Sequence, residues 1–111
     1  MSDYDYSQPI MADVPLESEE KTQRIGLASV NVKFLQDIVG LEIANNSNIA
    51  IIYLNISGAV ASTSSGIPIY PLQYYAADKK ILKNVGVSLI STVVDTDVRI
   101  IGHFHLESEL K

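Results

Sequence analysis

Apolar and polar residues alternate with a period of two along most of the chain. Val30, Val32 and Phe34 alternate with Ser29, Asn31 and Lys33, and Val39, Leu41 and Ile43 with Gly40, Glu42 and Ala44. Each run predicts a strand with one face buried. Asn45-Asn46-Ser47-Asn48 predicts a tight turn, since asparagine tolerates left-handed backbone angles. Ile49 to Ile56 is apolar on both faces apart from Asn55, which predicts a central strand covered on both sides. Ser57 to Gly66 is small, polar and glycine-bounded, as a surface loop should be.

Ile67-Pro68-Ile69-Tyr70-Pro71 cannot lie in the middle of a sheet, because two prolines remove ladder donors. Leu72 to Ala76 is expected to pair briefly, and Asp78 to Asn84 to turn, with room for a short helical turn. Val85, Val87 and Leu89 alternate again, Asp95-Thr96-Asp97 marks a turn, and Val98, Ile100, Gly102, Phe104 and Leu106 form the last alternating run. No stretch carries helical periodicity with caps over several turns. The expectation is an all-β fold: an antiparallel, jelly-roll-like β-sandwich over residues 25–111.

Residues 1–24 show no sustained periodicity and contain Pro9 and Pro15, so they are expected to form an extended arm outside that domain. Tyr4, Tyr6, Ile10, Met11, Val14 and Leu16 are apolar anchors spaced along it. A merely solvating tail has little use for them, whereas an arm that adds a strand to a partner's sheet edge does. The charge is also concentrated there. Of a formal net charge of −5, residues 1–24 contribute −4, with six carboxylates against Lys21 and Arg24. An acidic arm and the lack of a basic stripe argue against nucleic-acid binding. Lys79, Lys80 and Lys83, the one basic cluster, read as a solvated turn.

The chain has no cysteine, which excludes disulfides and thiolate metal sites and suits a reducing cytosol. Two sequons, at Asn45 and Asn55, stand without the basic-then-apolar order of a signal peptide. The longest apolar run, Ile49 to Leu54, is far shorter than a membrane span. No membrane partner is expected.

Taken in order, a strand ending in Leu41-Glu42-Ile43-Ala44-Asn45-Asn46-Ser47, an Ile/Tyr strand over Ile49 to Leu54, a small-residue loop into Gly66-Ile67-Pro68-Ile69, and a closing Asp97-Val98-Arg99-Ile100-Ile101-Gly102 form a pattern. It resembles the small β-sandwich accessory proteins of tailed bacteriophage virions: capsid decoration, head-fibre and neck components. The resemblance covers roughly residues 25 to 106 and consists of strands and turns rather than a catalytic signature. It implies a non-enzymatic structural protein made in the host cytoplasm and placed in the virion. Such a protein attaches to the major capsid protein or other virion proteins as a homo-oligomer, with a trimer expected. A neck or tail-junction component and a carbohydrate-binding module are the competing readings.

Candidate chemistry is sparse. His103-x-His105 puts two imidazoles on one side of a strand, yet a metal site in one chain needs more ligands, so no metal or other cofactor is expected. Asp95 and Asp97 lack the regular oxygen spacing and glycine of a calcium loop. Ser62-Thr63-Ser64-Ser65 lacks the nucleophile elbow of a serine hydrolase, and no phosphate-binding glycine loop is present, so no catalytic residue is expected. Tyr70, Tyr74 and Tyr75 bracket Pro71 and are interface candidates, because tyrosine buries a large area and keeps a polar tip. Core packing explains them equally well, and stacking on sugar rings ranks behind both.

Overall fold

A computed structural model describes residues 16–105. Its strands are β1 (Leu16–Ile25), β2 (Val30–Val32), β3 (Gly40–Asn45), β4 (Ile52–Asn55), β5 (Ile67–Ile69), β6 (Tyr74–Ala77), β7 (Val87–Ser91) and β8 (Thr96–His105). One sheet has the order β1-β8-β3-β6 and the other β2-β7-β4-β5, and every neighbouring pair is antiparallel. No helix occurs among the described residues. The fold is therefore the expected all-β sandwich, and its strand order is that of a jelly roll.

The period-two pattern decides which side chains meet. Leu41 and Ile43 of β3 and Val98 and Ile100 of β8 point from the first sheet toward Ile52 and Leu54 of β4 and Val87 and Leu89 of β7. All eight are buried, and burial of a side chain of this size stabilises by about 1.5–3 kcal/mol. Phe34 and Ile38 close one end of this core, packing over Gly102.

Several expectations change in detail. The division expected after Arg24 falls inside β1, whose ten residues pair one for one with β8. Before Ile25, the inward positions of β1 carry Glu19, Lys21 and Gln23 rather than apolar residues, so alternation gave no sign of a strand. They are tolerated because β1 lies at the sheet edge, where Glu19 pairs with Lys21 at 3.1 Å and accepts the Leu35 N–H at 2.8 Å. The anchors Tyr4, Tyr6, Ile10, Met11 and Val14 lie outside the described residues, and Leu16 is an exposed residue of β1.

The expected central strand over 49–56 contracts to Ile52–Asn55. It does lie between two others, but Ile49 is left exposed in the preceding loop. Pro68 sits in β5 at a sheet edge, as its missing N–H requires. The turn region after β6 contributes a core residue: Ile81 is buried and exchanges both backbone hydrogen bonds with Ile38 at 2.9 Å.

Two glycines are fixed by their surroundings. Gly86 has φ +70°, and a Cβ there would run into the Val32 carbonyl. At Gly102 a Cβ would lie 2.8 Å from both Ile38 Cγ2 and Phe34 Cε1. Gly102→Ala should therefore destabilise the fold by about 1–3 kcal/mol through overpacking, read as a lower urea midpoint with an unchanged slope.

Candidate functional site

Two surfaces stand out, one at an end of the sandwich and one on the outer face of the first sheet. The end is formed by the loops 26–29, 46–51, 70–73 and 92–95. Backbone hydrogen bonds tie them in sequence: Leu72 N–H to Ser47 O at 3.0 Å, Thr92 N–H to Ile51 O at 3.1 Å, and Ser91 N–H to Gly26 O at 2.9 Å. Along this rim Leu27, Ile49, Tyr70, Leu72 and Val94 are all at least half exposed.

 Their exposed fractions are 60% for Leu27, 68% for Ile49, 50% for Tyr70, 69% for Leu72 and 63% for Val94.

Asn45 holds this end in place. It is the last residue of β3 and is 1% exposed. Its Nδ2 donates to the carbonyls of Ala50 (2.8 Å), Ile69 (2.9 Å) and Tyr70 (3.2 Å), the third sharing one of two hydrogens. Its Oδ1 accepts the Ser47 N–H at 3.0 Å. One buried amide thus fastens the loops that carry Ile49, Tyr70 and Leu72. Across the same end, the buried hydroxyls of Ser91 and Thr96 meet at 2.7 Å and shape the turn that carries Val94.

Leu72 is the residue whose identity the fold explains least. Its φ is +62°, in the left-handed region that costs a side chain with a Cβ about 1–2 kcal/mol. Glycine or asparagine would fit there more easily, and the leucine side chain gains little burial in return. Asp95, with φ +56°, needs no such account, because aspartate is at ease in this region.

The second surface is a shallow groove of about 300 Å³ on the outer face of the first sheet. Ala44 and Ile101 lie along it, Tyr74 and Leu72 border it, and Glu42, Gln73 and Arg99 supply polar groups. Arg99 reaches sideways to Glu20 at 3.3 Å. Beyond the groove, His103 Nε2 lies 2.7 Å from Glu42 Oε2, with the imidazole packed over Gly40.

His103 and His105 share this outer face, but His103 is engaged with Glu42. No group of three or more metal-ligating side chains gathers among the described residues. The register also sets Ser18 beside His103, giving a row Ser18, His103, Glu42 across three strands. No hydrogen bond joins Ser18 to His103, and a hydrolytic triad needs that bond as well as donors for the oxyanion. Ser62, Ser64 and Ser65 bond to one another in a loop of the other sheet.

Of the tyrosines singled out in the sequence, Tyr70 lies on the rim and Tyr74 borders the groove, whereas Tyr75 packs against the core. Sequence reasoning missed Leu27, Ile49, Leu72 and Val94 as a group. The available signal was that each stands in or beside a turn, where an apolar side chain has no face to cover.

The fold defines the class, a jelly-roll-ordered β-sandwich with an apolar end. No protein-family model matches the chain, and comparison with curated proteins finds no match. Among solved structures, the chain is similar to one from the disulfide-linked pili of Bacillus endospore appendages. That similarity has a TM-score of 0.46 at 8% identity, over 84% of this chain and 88% of the other.

Glu42→Ala should lower the unfolding free energy by no more than about 1 kcal/mol, since the Glu42–His103 pair is partly solvated. Asn45→Ala should cost about 1–3 kcal/mol by stranding buried carbonyls. Urea unfolding of the two variants side by side checks both, and the order of their midpoints is the decisive reading.

Proposed function

We propose that this chain is a non-enzymatic structural protein that attaches by its apolar end to the surface of a larger protein assembly. The observation that carries this reading is Leu72, a leucine kept exposed in a left-handed conformation within a row of exposed apolar residues. Folding alone favours a different residue there, so a contact outside the chain is the simplest account of it. Apolar rim residues excluded from water on docking would supply the attachment energy, and binding to the assembled state would stabilise that state by mass action.

The strand-and-turn resemblance supplies the setting. On that ground the assembly is the virion of a tailed phage, with the chain as a decoration, vertex or head-fibre component acting as a homo-oligomer, a trimer by expectation. Its partner would be the major capsid protein or another virion protein. A position at the neck is the neighbouring reading, which a ring stoichiometry other than three would favour.

A second reading has its own observation. Tyr74 borders a groove that also holds Glu42, Gln73 and Arg99, a combination of aromatic surface and planar polar groups that suits a sugar ring. Glycan-array binding that is lost in Tyr74→Ala would support it, and an array without signal removes it.

Leu72→Asn separates attachment from stability. The variant should be as stable as the parent or more so, by up to about 1 kcal/mol, because asparagine accepts the left-handed backbone. It should at the same time bind phage heads at least tenfold more weakly in co-sedimentation. Unchanged co-sedimentation would remove the rim from the interface. Immunogold labelling of purified phage particles with antibody to this chain tests the setting: label on heads supports it, and label only on other structures overturns it.

A further inference from the structure

The two sheets present four edge strands among the described residues, and three of them are guarded. β1 carries the inward charges Glu19 and Lys21, β5 contains Pro68, and β2 is only three residues long. These are the usual devices that keep an edge from pairing with another chain. The fourth edge, β6, reads Tyr74-Tyr75-Ala76-Ala77, without charge or proline.

The ladder shows which of its backbone groups are free to pair. Asn45 N–H donates to Gln73 O at 2.9 Å, which fixes the phase of the ladder, while Gln73 N–H turns back to Tyr70 O at 3.1 Å. Alternation along the register then turns Tyr75 and Ala77 toward β3, and the N–H and C=O of Tyr74 and Ala76 away from it. The open edge thus offers two donors and two acceptors, beside the exposed Tyr74 ring.

We propose that β6 accepts a fifth strand from a second copy of this chain, namely residues 3–7 of its N-terminal segment. This deepens the structural-assembly reading and rests on it. The segment Asp3-Tyr4-Asp5-Tyr6-Ser7 contains no proline and alternates, so Tyr4 and Tyr6 fall on one side of an extended chain. On that side they meet Tyr74 and the small Ala76, an aromatic cross-strand arrangement that stabilises added strands. Charge fits as well. Residues 1–15 hold Asp3, Asp5 and Asp13 and no lysine or arginine, while β6 runs past Asp78 into the exposed pair Lys79 and Lys80.

Residues 8–15 then serve as the tether between the donated strand and β1, spanning up to about 27 Å when extended. Donation of this kind is head to tail. It closes into a ring, such as a trimer, if the rotation between copies allows, and otherwise grows as a filament.

The test uses full-length chains and their mass by light scattering over a range of concentrations. The parent should self-associate. Ala76→Pro, which removes an outward N–H and spares the β3 ladder, should weaken association at least tenfold. The double change Tyr4→Ser with Tyr6→Ser should do the same from the donor side. An equal mixture of the two variants should regain association as pairs of chains, because one retains the segment and the other the edge.

A parent that stays monomeric overturns the proposal, as does an Ala76→Pro chain that associates like the parent, or a mixture that fails to pair. Disulfide trapping provides a readout independent of the proline. The chain has no cysteine of its own, so Tyr6→Cys in one population and Ala76→Cys in another should give a mixed dimer on oxidation. Cross-links only within a chain carrying both changes would overturn the proposal, since the segment would then pair with its own β6. Loss of association in Leu72→Asn but not in Ala76→Pro would overturn the β6 proposal and leave the rim reading intact.

Discussion

A single buried amide organises the part of this molecule that faces outward. Asn45 closes β3, yet its Nδ2 donates to one carbonyl in β5 of the opposite sheet and to two in the loops that precede β4 and follow β5. Leaving such carbonyls unpaired in the interior is costly, so the loops must adopt the paths that bring them to the amide. Those paths put Ile49, Tyr70 and Leu72 on the surface. The rim is thus a consequence of polar satisfaction inside the sandwich, and its shape is as rigid as that network.

Around this end the rest of the fold is conventional bookkeeping between two faces. Inward residues fill the space between the sheets with branched aliphatic side chains, and Gly102 makes room for Phe34 and Ile38 at the far end. The outer face of the first sheet is mixed, with Arg99, Ile101 and His103 alternating along β8 against inward Val98, Ile100 and Gly102. The rim and the outer groove lie close together through Leu72 and Tyr74.

The edges add a second constraint. A sandwich of two four-stranded sheets leaves four rows of backbone groups without a neighbour, and chains that stay apart must disguise them. Here the disguise is uneven. Glu19 and Lys21 turn a ten-residue strand into a poor template, and Pro68 spoils another, whereas the tyrosine–alanine edge at β6 is left open.

The sequence by itself determined the fold class, because period-two alternation read at Val30 to Phe34, Leu41 to Ile43, Val87 to Leu89 and Val98 to Phe104 is a local property of the chain. It also placed Pro68 at an edge, since a missing N–H has the same consequence in any sheet. It did not reveal β1, where edge position lets Glu19, Lys21 and Gln23 take inward places that a central strand would reserve for apolar residues. Nor did it show that Ile49 is exposed while Ile81 is buried. Those outcomes depend on which loop meets which across the sandwich, and only tertiary packing decides that. The same holds for the partnership of Glu42 with His103, 61 residues apart, and for the gathering of four loops into one apolar rim.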